Sequence, residues 1–269
     1  MSGNIQLLNE TLAASKREGR PALIAYLPAG FPTVDAGIAA MKAVLDAGAD
    51  ILEVGLPHSD PILDGPVIQT AADLALRGGT RIKDVLRTVA EVHRAFGKPV
   101  LVMTYWNPVS RYGIERFAAE LAEAGGAGCI LPDLPVQESA RWREQAAMHQ
   151  LATVFVVAPS TGNERLHEIT SASTGFVYAA SLMGVTGTDG SIGDTARLLV
   201  ERTRAATELP VCVGIGISTG AQAAAVAGFA DGVIVGSALV KAVLDAPDEP
   251  TALTAIHTLT SSLATAIRN

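Results

Sequence analysis

The chain has 269 residues, of which 49% are hydrophobic and 17% charged, and its formal net charge is −7 at pH 7. This apolar content suffices for a large core, and the acidic balance argues against nucleic-acid binding, because no basic stripe is present to neutralise phosphates. No uncharged apolar run reaches the roughly 20 residues of a membrane span, and the polar N-terminus and two cysteines in apolar runs lead us to expect a cytoplasmic protein.

Apolar runs of strand length alternate with helical segments along the whole chain. Eight strands are predicted near 22–27, 51–55, 100–105, 128–131, 153–158, 175–180, 211–215 and 232–235. Helices are predicted at 34–47, 82–96, 114–124, 138–150, 194–207 and 219–226, with an extra N-terminal helix at 7–16. Eight strand–helix units indicate an α/β protein, a single-domain (β/α)8 TIM barrel over residues 1–269, with the extra helix capping the barrel bottom. An open doubly wound sheet is the structural alternative.

A weak internal repeat supports the barrel. The segments DAGADILEVGLP (46–57), EAGGAGCILPDLP (123–135) and VAGFADGVIVGSAL (226–239) each end a helix with Ala-Gly and enter an apolar strand. Glycine just past a helix end tolerates the left-handed backbone conformation that is common there. The three segments are therefore interpreted as equivalent joints of one closed ring.

The second predicted strand and its loop carry three acids. Glu53 lies inside the apolar strand, and Asp60 and Asp64 follow in a long loop rich in Pro and Gly. Apolar surroundings raise the pKa of a carboxyl group, as a general acid–base near neutral pH requires. A structural carboxylate at Glu53 and simple turn chemistry at both aspartates are the competing interpretations, and turn chemistry is preferred for Asp60.

Three glycine-rich stretches follow the last three predicted strands: GVTGTDG (184–190), VGIGIS (213–218) and VGSAL (235–239). Backbone amides next to glycine, together with a helix N-terminus, form a typical phosphate site, and these loops are its usual position in such barrels. Tight turns alone are the alternative explanation. A dinucleotide fingerprint is rejected, because Thr219 stands where the third glycine is required.

Several reaction types are excluded because the sequence lacks the residues that they require. No lysine falls at the carboxyl end of a predicted strand, the five histidines lack metal-ligand spacing, and no Gly-x-Ser-x-Gly motif occurs. We expect acid–base chemistry on a phosphorylated substrate, without a metal or cofactor in this chain. Three tyrosines at or near strand ends are placed to face the substrate or to pack in the barrel: Tyr26, Tyr105 and Tyr178.

These residues together resemble the alpha subunit of tryptophan synthase. The resemblance is carried by LEVGLPHSDPILDGPVIQ (52–69), YLPAGFP (26–32), LPDLPVQES (131–139), GVTG (184–187), GIGIS (214–218) and GSALVK (236–241). It covers essentially the full chain in the right order. It implies a lyase that reversibly cleaves indole-3-glycerol phosphate to indole and glyceraldehyde 3-phosphate.

The resemblance also implies roles for individual residues. Glu53 matches the family's general acid–base, and Asp64 matches its second essential carboxylate. The substrate-binding residues implied are Tyr26, Tyr178, Thr186, Gly187, Gly216, Gly236 and Ser237; Thr186 would meet Asp64 on loop closure, and the glycines and Ser237 would hold the phosphate.

The family works as an αββα heterotetramer, in which a beta subunit carries pyridoxal phosphate and receives indole. The resemblance therefore implies a beta-subunit partner, no cofactor in this chain, and an interface role for Pro57 and Asp60. His58 and Leu182–Met183 depart from the common family pattern. A sugar-phosphate isomerase or epimerase on the same barrel and a non-catalytic regulatory subunit are the alternative functions.

Overall fold

The computed structural model describes residues 4–180, 194–214 and 216–268. Within these ranges one parallel sheet forms the centre of the molecule, and every neighbouring pair of strands runs parallel. Its strands are β1 (Ala22–Pro28), β2 (Ile51–Gly55), β3 (Val100–Met103), β4 (Gly128–Ile130), β5 (Ala152–Val154), β6 (Val156–Val157), β7 (Val177–Ala180), β8 (Val211–Gly214) and β9 (Gly232–Val235).

The sheet closes into a barrel through its fifth predicted strand. That strand is split at Phe155 into β5 and β6, which lie at the two ends of the strand order β5-β4-β3-β2-β1-β9-β8-β7-β6. On one side, the Leu131 amide donates to the Val154 carbonyl at 3.2 Å, and on the other the Tyr178 amide donates to the Phe155 carbonyl at 3.1 Å. The closed (β/α)8 barrel is confirmed, and the open-sheet alternative is wrong.

Helices surround the barrel. They are α1 (Asn4–Arg17), α2 (Val34–Asp46), α3 (Pro66–Arg77), α4 (Ile82–Phe96), α5 (Trp106–Tyr112), α6 (Ile114–Glu123), α7 (Ala140–Met148), α8 (Asn163–Ala172), α9 (Asp194–Arg204), α10 (Gly220–Ala227), α11 (Ser237–Leu244) and α12 (Glu249–Ala266). A short 3-10 turn, Val136–Glu138, precedes α7. Among the helices described, none combines the length and the apolar character needed to cross a membrane.

Some predicted boundaries shift for local reasons. The third strand ends at Met103 rather than at residue 105, because Tyr105 is already the N-terminal cap of α5. The Asp133 carboxylate accepts a hydrogen bond of 2.8 Å from the Trp106 amide, which satisfies one of the first free donors of α5. The helix predicted at 138–150 begins only at Ala140, after the 3-10 turn.

Alternate residues of the strands face two separate cores. Leu52 and Val54 belong to the outer core between sheet and helices. Ile51 belongs to the inner core inside the barrel, together with Leu8 and Leu12 of α1. The N-terminal helix therefore closes the barrel at the end where the strands begin, as predicted.

The repeated Ala-Gly joint is only partly uniform. Gly48 and Gly125 have φ values of +113° and +84°, so both use the backbone freedom of glycine as predicted. Gly228 has φ −67° and is right-handed. For the third joint the predicted left-handed turn is therefore wrong, because α10 ends without reversing its backbone handedness there.

Candidate active site

Glu53 points into the barrel from the middle of β2. Its neighbours Leu52 and Val54 pack outward, and its side chain is fully buried. Neither carboxylate oxygen has a hydrogen-bond partner among the described residues. Burial raises the pKa of Glu53 to about 8. A carboxyl group in this environment keeps its proton near neutral pH and can exchange it, which is the property of a general acid–base.

Asp64 lies on the loop between β2 and α3, at the carboxyl end of the strands. Its side chain is partly buried. Burial raises the pKa of Asp64 to about 6, while the neighbouring Tyr105 hydroxyl and the charge of His58 act in the opposite direction. The two acids therefore differ in pKa: at neutral pH Glu53 is mainly protonated and Asp64 mainly ionised.

Tyr105 fastens this loop to the barrel. Its hydroxyl oxygen accepts a hydrogen bond of 2.9 Å from the Leu63 amide, and Asp64 is the next residue in the chain. Burial raises the pKa of Tyr105 to about 12, so the hydroxyl stays protonated near neutral pH. The sequence predicted that Tyr105 reaches the barrel mouth, but this use of its hydroxyl depends on a contact 42 residues apart in the chain.

Tyr26 and Tyr178 are brought to the same mouth by β1 and β7. Tyr26 is the neighbour of Glu53 in the β1–β2 register. Burial raises the pKa of both tyrosines, and the charges of Glu53 and Asp64 raise them further. Both hydroxyls therefore lie within electrostatic range of the two acids, and these four predicted residues form one cluster.

Two glycines make room for these tyrosines. A Cβ atom on Gly55 would lie 2.3 Å from the Tyr26 hydroxyl oxygen, and a Cβ atom on Gly214 would lie 2.4 Å from that of Tyr178. The sequence analysis did not assign this role to either glycine. The sequence feature that could have indicated this role is the position of both glycines at the ends of β2 and β8, beside strands that each carry a tyrosine.

The predicted phosphate-binding residues that are described lie in the loops after β8 and β9. Gly216 has φ +68°, a conformation that favours glycine. Gly236 caps α11, Ser237 is its first residue, and a Cβ atom on Gly236 would lie 3.1 Å from the Tyr26 ring. The predicted phosphate-binding loop at Gly236 and the acid cluster are therefore adjacent.

The N-termini of α10 and α11 differ in capping. Thr219 and Gln222 form a reciprocal capping box at the start of α10. No side chain in the described part of the chain caps α11. The first amides of α11 are thus left for an anionic ligand, and the helix dipole favours one there.

Asp60, which was also predicted, falls outside this cluster. Asp60 is exposed, and its carboxylate accepts a 2.6 Å hydrogen bond from the Ser59 hydroxyl. Thr186 and Gly187 lie outside the described residues, as do Leu182 and Met183. In the ranges that the structure describes, no three His, Cys, Asp or Glu side chains are grouped to hold a metal ion.

Comparison with known proteins shows which family the chain is similar to. The family model "Tryptophan synthase alpha chain" matches residues 12–268. The tryptophan synthase alpha chain of Streptomyces coelicolor is 72% identical over 268 residues, covering 100% of this chain and 99% of that protein. That of Thermobifida fusca is 53% identical over 265 residues, covering 97% and 98%.

Solved structures extend the likeness to the fold. A crystal structure of tryptophan synthase from M. tuberculosis in the aminoacrylate-bound form matches with a TM-score of 0.89 and 45% identity, covering 97% of this chain and 99% of that chain. The tryptophan synthase subunit alpha of Legionella pneumophila matches with a TM-score of 0.90 and 34% identity, covering 99% of both chains. The chain belongs to the tryptophan synthase alpha chain family.

Proposed function

We propose that this chain cleaves indole-3-glycerol phosphate reversibly to indole and D-glyceraldehyde 3-phosphate, with Glu53 and Asp64 as its catalytic residues. The observation that carries the proposal is the Glu53 carboxyl group, which is fully buried, unpartnered among the described residues, and raised in pKa to about 8. A regulatory subunit without catalysis would not need this group. The family assignment also gives no support to the sugar-phosphate isomerase or epimerase alternative.

Glu53 supplies the proton that the reaction needs. Cleavage of the bond at indole C3 requires a proton on that carbon and removal of a proton from the adjacent side-chain hydroxyl. Glu53 begins protonated, donates to C3, and as a carboxylate then accepts the hydroxyl proton while the carbon–carbon bond breaks and the aldehyde forms. The proton balance closes on one carboxyl group, so Glu53 ends as it began.

Asp64 stabilises the charge that this protonation creates. Once C3 is protonated, positive charge develops at the indole ring nitrogen. The raised pKa of about 6 still leaves Asp64 mainly ionised at neutral pH. A carboxylate on a loop that Tyr105 anchors at the adjacent Leu63 stabilises a cation with little reorganisation during the reaction.

The remaining proposed contacts place the substrate between these acids and the phosphate loops. Tyr26 and Tyr178 offer flat apolar surfaces beside Glu53 for the indole ring. The loop at Gly216 and the uncapped start of α11 at Gly236 and Ser237 suit the phosphate. Thr186 and Gly187, outside the described residues, stay predictions as further contacts of the closed loop.

We propose that the chain works in an αββα heterotetramer with a pyridoxal-phosphate-containing beta subunit, and that it holds no cofactor itself. The loop after β2 supports this partner, because Ile62 and Leu63 are 83% and 57% exposed. Exposed apolar side chains grouped on one loop are typical of an interaction surface. A cytoplasmic location is consistent with Cys129 and Cys212, which are both buried and unpaired.

The catalytic proposal is tested by indole release from purified protein. Glu53→Gln is expected to lower kcat by roughly 100-fold or more, because it removes the only proposed proton carrier. Asp64→Asn is expected to lower kcat with smaller effects on KM, since its charge acts in the transition state. Cleavage that survives Glu53→Gln at the wild-type rate would refute the acid–base assignment.

The partner proposal is tested by titrating the chain with a tryptophan synthase beta subunit. Binding and a change in the rate of indole release are expected, and Ile62→Asp should weaken binding because it places a charge in the apolar loop surface. Met148→Asp serves as the matched control, since Met148 is 68% exposed at the end of α7. Equal binding by both variants would contradict an interface at the β2 loop.

A further inference from the structure

His58 and Tyr105 form an aromatic pair beside the catalytic loop. Their ring centroids are 4.7 Å apart with an interplanar angle of 26°, which is a stacked arrangement. His58 belongs to the loop after β2, whereas Tyr105 caps α5 after β3. The stack therefore joins the first part of the Asp64 loop to a neighbouring element of the barrel.

The loop contacts Tyr105 at two points. The His58 ring covers one face of the Tyr105 ring, and the Leu63 amide donates to its hydroxyl oxygen at 2.9 Å. Asp64 directly follows Leu63 in the chain, so its position depends on where this hydrogen bond holds the loop. A ring held on its face can rotate less about its side-chain bonds, so its hydroxyl oxygen stays in place as the acceptor for the Leu63 amide.

We propose that His58 is a positioning residue for Asp64: its imidazole ring holds Tyr105 in the orientation from which the Tyr105 hydroxyl oxygen anchors the Leu63 amide and so places the adjacent Asp64. The proposal rests on the catalytic function proposed for Asp64 above. It assigns His58 no contact with the substrate. It also gives a role to a residue that the sequence analysis noted only as a departure from the family pattern.

His58 adds an electrostatic effect to this mechanical one. Burial raises the pKa of Asp64, and the charge of His58 counteracts part of that rise. Among the described residues, Asp60 lies on the same loop, the charge of Asp133 acts on Tyr105, and Tyr26 and Tyr178 lie within electrostatic range of Asp64. A neutral ring at position 58 would keep the stack but lose the charge, so the two effects can be separated.

The test compares His58→Phe with His58→Ala in the full-length chain, with Ser59→Ala as the control on the same loop. His58→Ala is expected to lower kcat roughly tenfold or more with a smaller change in KM, because Asp64 is then poorly aligned. His58→Phe is expected to recover most of kcat at neutral pH. Its acidic limb in the pH profile of kcat should lie at higher pH than in the wild type, because the charge that favours ionised Asp64 is gone.

Two results would overturn the proposal. A His58→Ala variant with wild-type kcat and pH profile would show that the stack does not position Asp64. A His58→Phe variant as impaired as His58→Ala would show that imidazole chemistry, not its flat ring, is required. Failure of the underlying function is distinguishable, because the wild-type chain would then release no indole, or Asp64→Asn would release it at the wild-type rate.

Discussion

Glu53 keeps its proton because its carboxyl group is buried where the described residues offer its ionised form no hydrogen bond. The side chain is fully buried, and no partner for either oxygen is found among the described residues. A buried charge without a partner is costly, so the neutral form is favoured and the pKa rises to about 8. The burial that suits Glu53 to its proposed proton transfer therefore also lowers the free energy of unfolding when the group ionises.

This coupling predicts a pH-dependent stability. The Glu53 pKa is about 8 in the folded chain and roughly 4.3 in an unfolded one. Between these values the folded state binds the extra proton, so the free energy of unfolding falls as pH rises. The loss is on the order of a few kcal/mol. The Glu53→Gln variant has no ionisable group at this position and therefore escapes this loss. The difference between the unfolding free energy of the variant and that of the wild type should increase with pH, as measured by urea denaturation.

Glu123→Gln is the matched control, because Glu123 is exposed at the end of α6. Its unfolding free energy should follow that of the wild type at every pH. A Glu53→Gln variant whose difference from the wild type stays constant between acidic and alkaline pH would mean that Glu53 ionises normally in the folded protein.

At the scale of elements, β1 and β2 are fitted to each other through Tyr26 and Gly55. Gly55→Ala would place a methyl group 2.3 Å from the Tyr26 hydroxyl oxygen. The Tyr26 ring would have to move, at an expected cost of about 1–3 kcal/mol in the free energy of unfolding. Because that ring lies beside Glu53, kcat should fall as well. Both quantities can be measured on the purified variant.

A second substitution tests the cause of that loss. If the clash with Tyr26 is responsible, Gly55→Ala combined with Tyr26→Leu should be less destabilised than the sum of the two single variants. Gly162→Ala is the control, since no heavy atom lies within 4 Å of its added Cβ position. Strict additivity in the double variant would contradict the fit described here.

The extra helix α1 has a separate role at the opposite end of the barrel. Leu8 is completely buried and packs in the inner core. Leu8→Ala is expected to lower the free energy of unfolding by about 2–5 kcal/mol. It should leave kcat unchanged below the melting temperature, because Leu8 lies at the end where the strands begin and the Asp64 loop lies at the end where they finish. Calorimetry and indole release measure the two effects.

Asn9→Ala provides the comparison for this helix, because Asn9 is its exposed neighbour. It should change neither stability nor kcat substantially. If Leu8→Ala lowered kcat while leaving the melting temperature unchanged, the assignment of α1 to structural support would be wrong.

The sequence predicted the positions of elements better than the contacts between them. Strand β2 and helix α4 begin and end where apolar periodicity placed them, at Ile51–Gly55 and Ile82–Phe96. The break at Phe155 was not predicted, because an apolar run looks the same whether its strand is straight or interrupted. The Tyr105 contact with Leu63 was equally inaccessible, since nothing local in the chain encodes which loop amide reaches that hydroxyl.

The sequence predicted which residues face the candidate site, but not the contacts that those residues make or lack. The inward position of Glu53 follows from alternation, because Leu52 and Val54 point outward. Its missing hydrogen-bond partners could not follow from the sequence, since they depend on every side chain that meets it inside the barrel. The roles of the predicted site residues stay predictions until the variants are measured.

For the molecule as a whole, the two ends of the barrel differ. Helix α1 closes the end where the strands begin, and the Asp64 loop and the predicted phosphate-binding loops lie at the end where they finish. This is the usual division in such barrels.

The pH profile of kcat/KM for indole release tests the central claim most directly, because it reports the ionisation of groups in the free enzyme. We predict that kcat/KM falls above about pH 8, as Glu53 loses the proton that C3 requires. In Glu53→Gln, any residual activity should lack this alkaline limb. A wild-type kcat/KM that stays constant or rises well above pH 8 would contradict the assignment of protonated Glu53 as the group that starts the reaction.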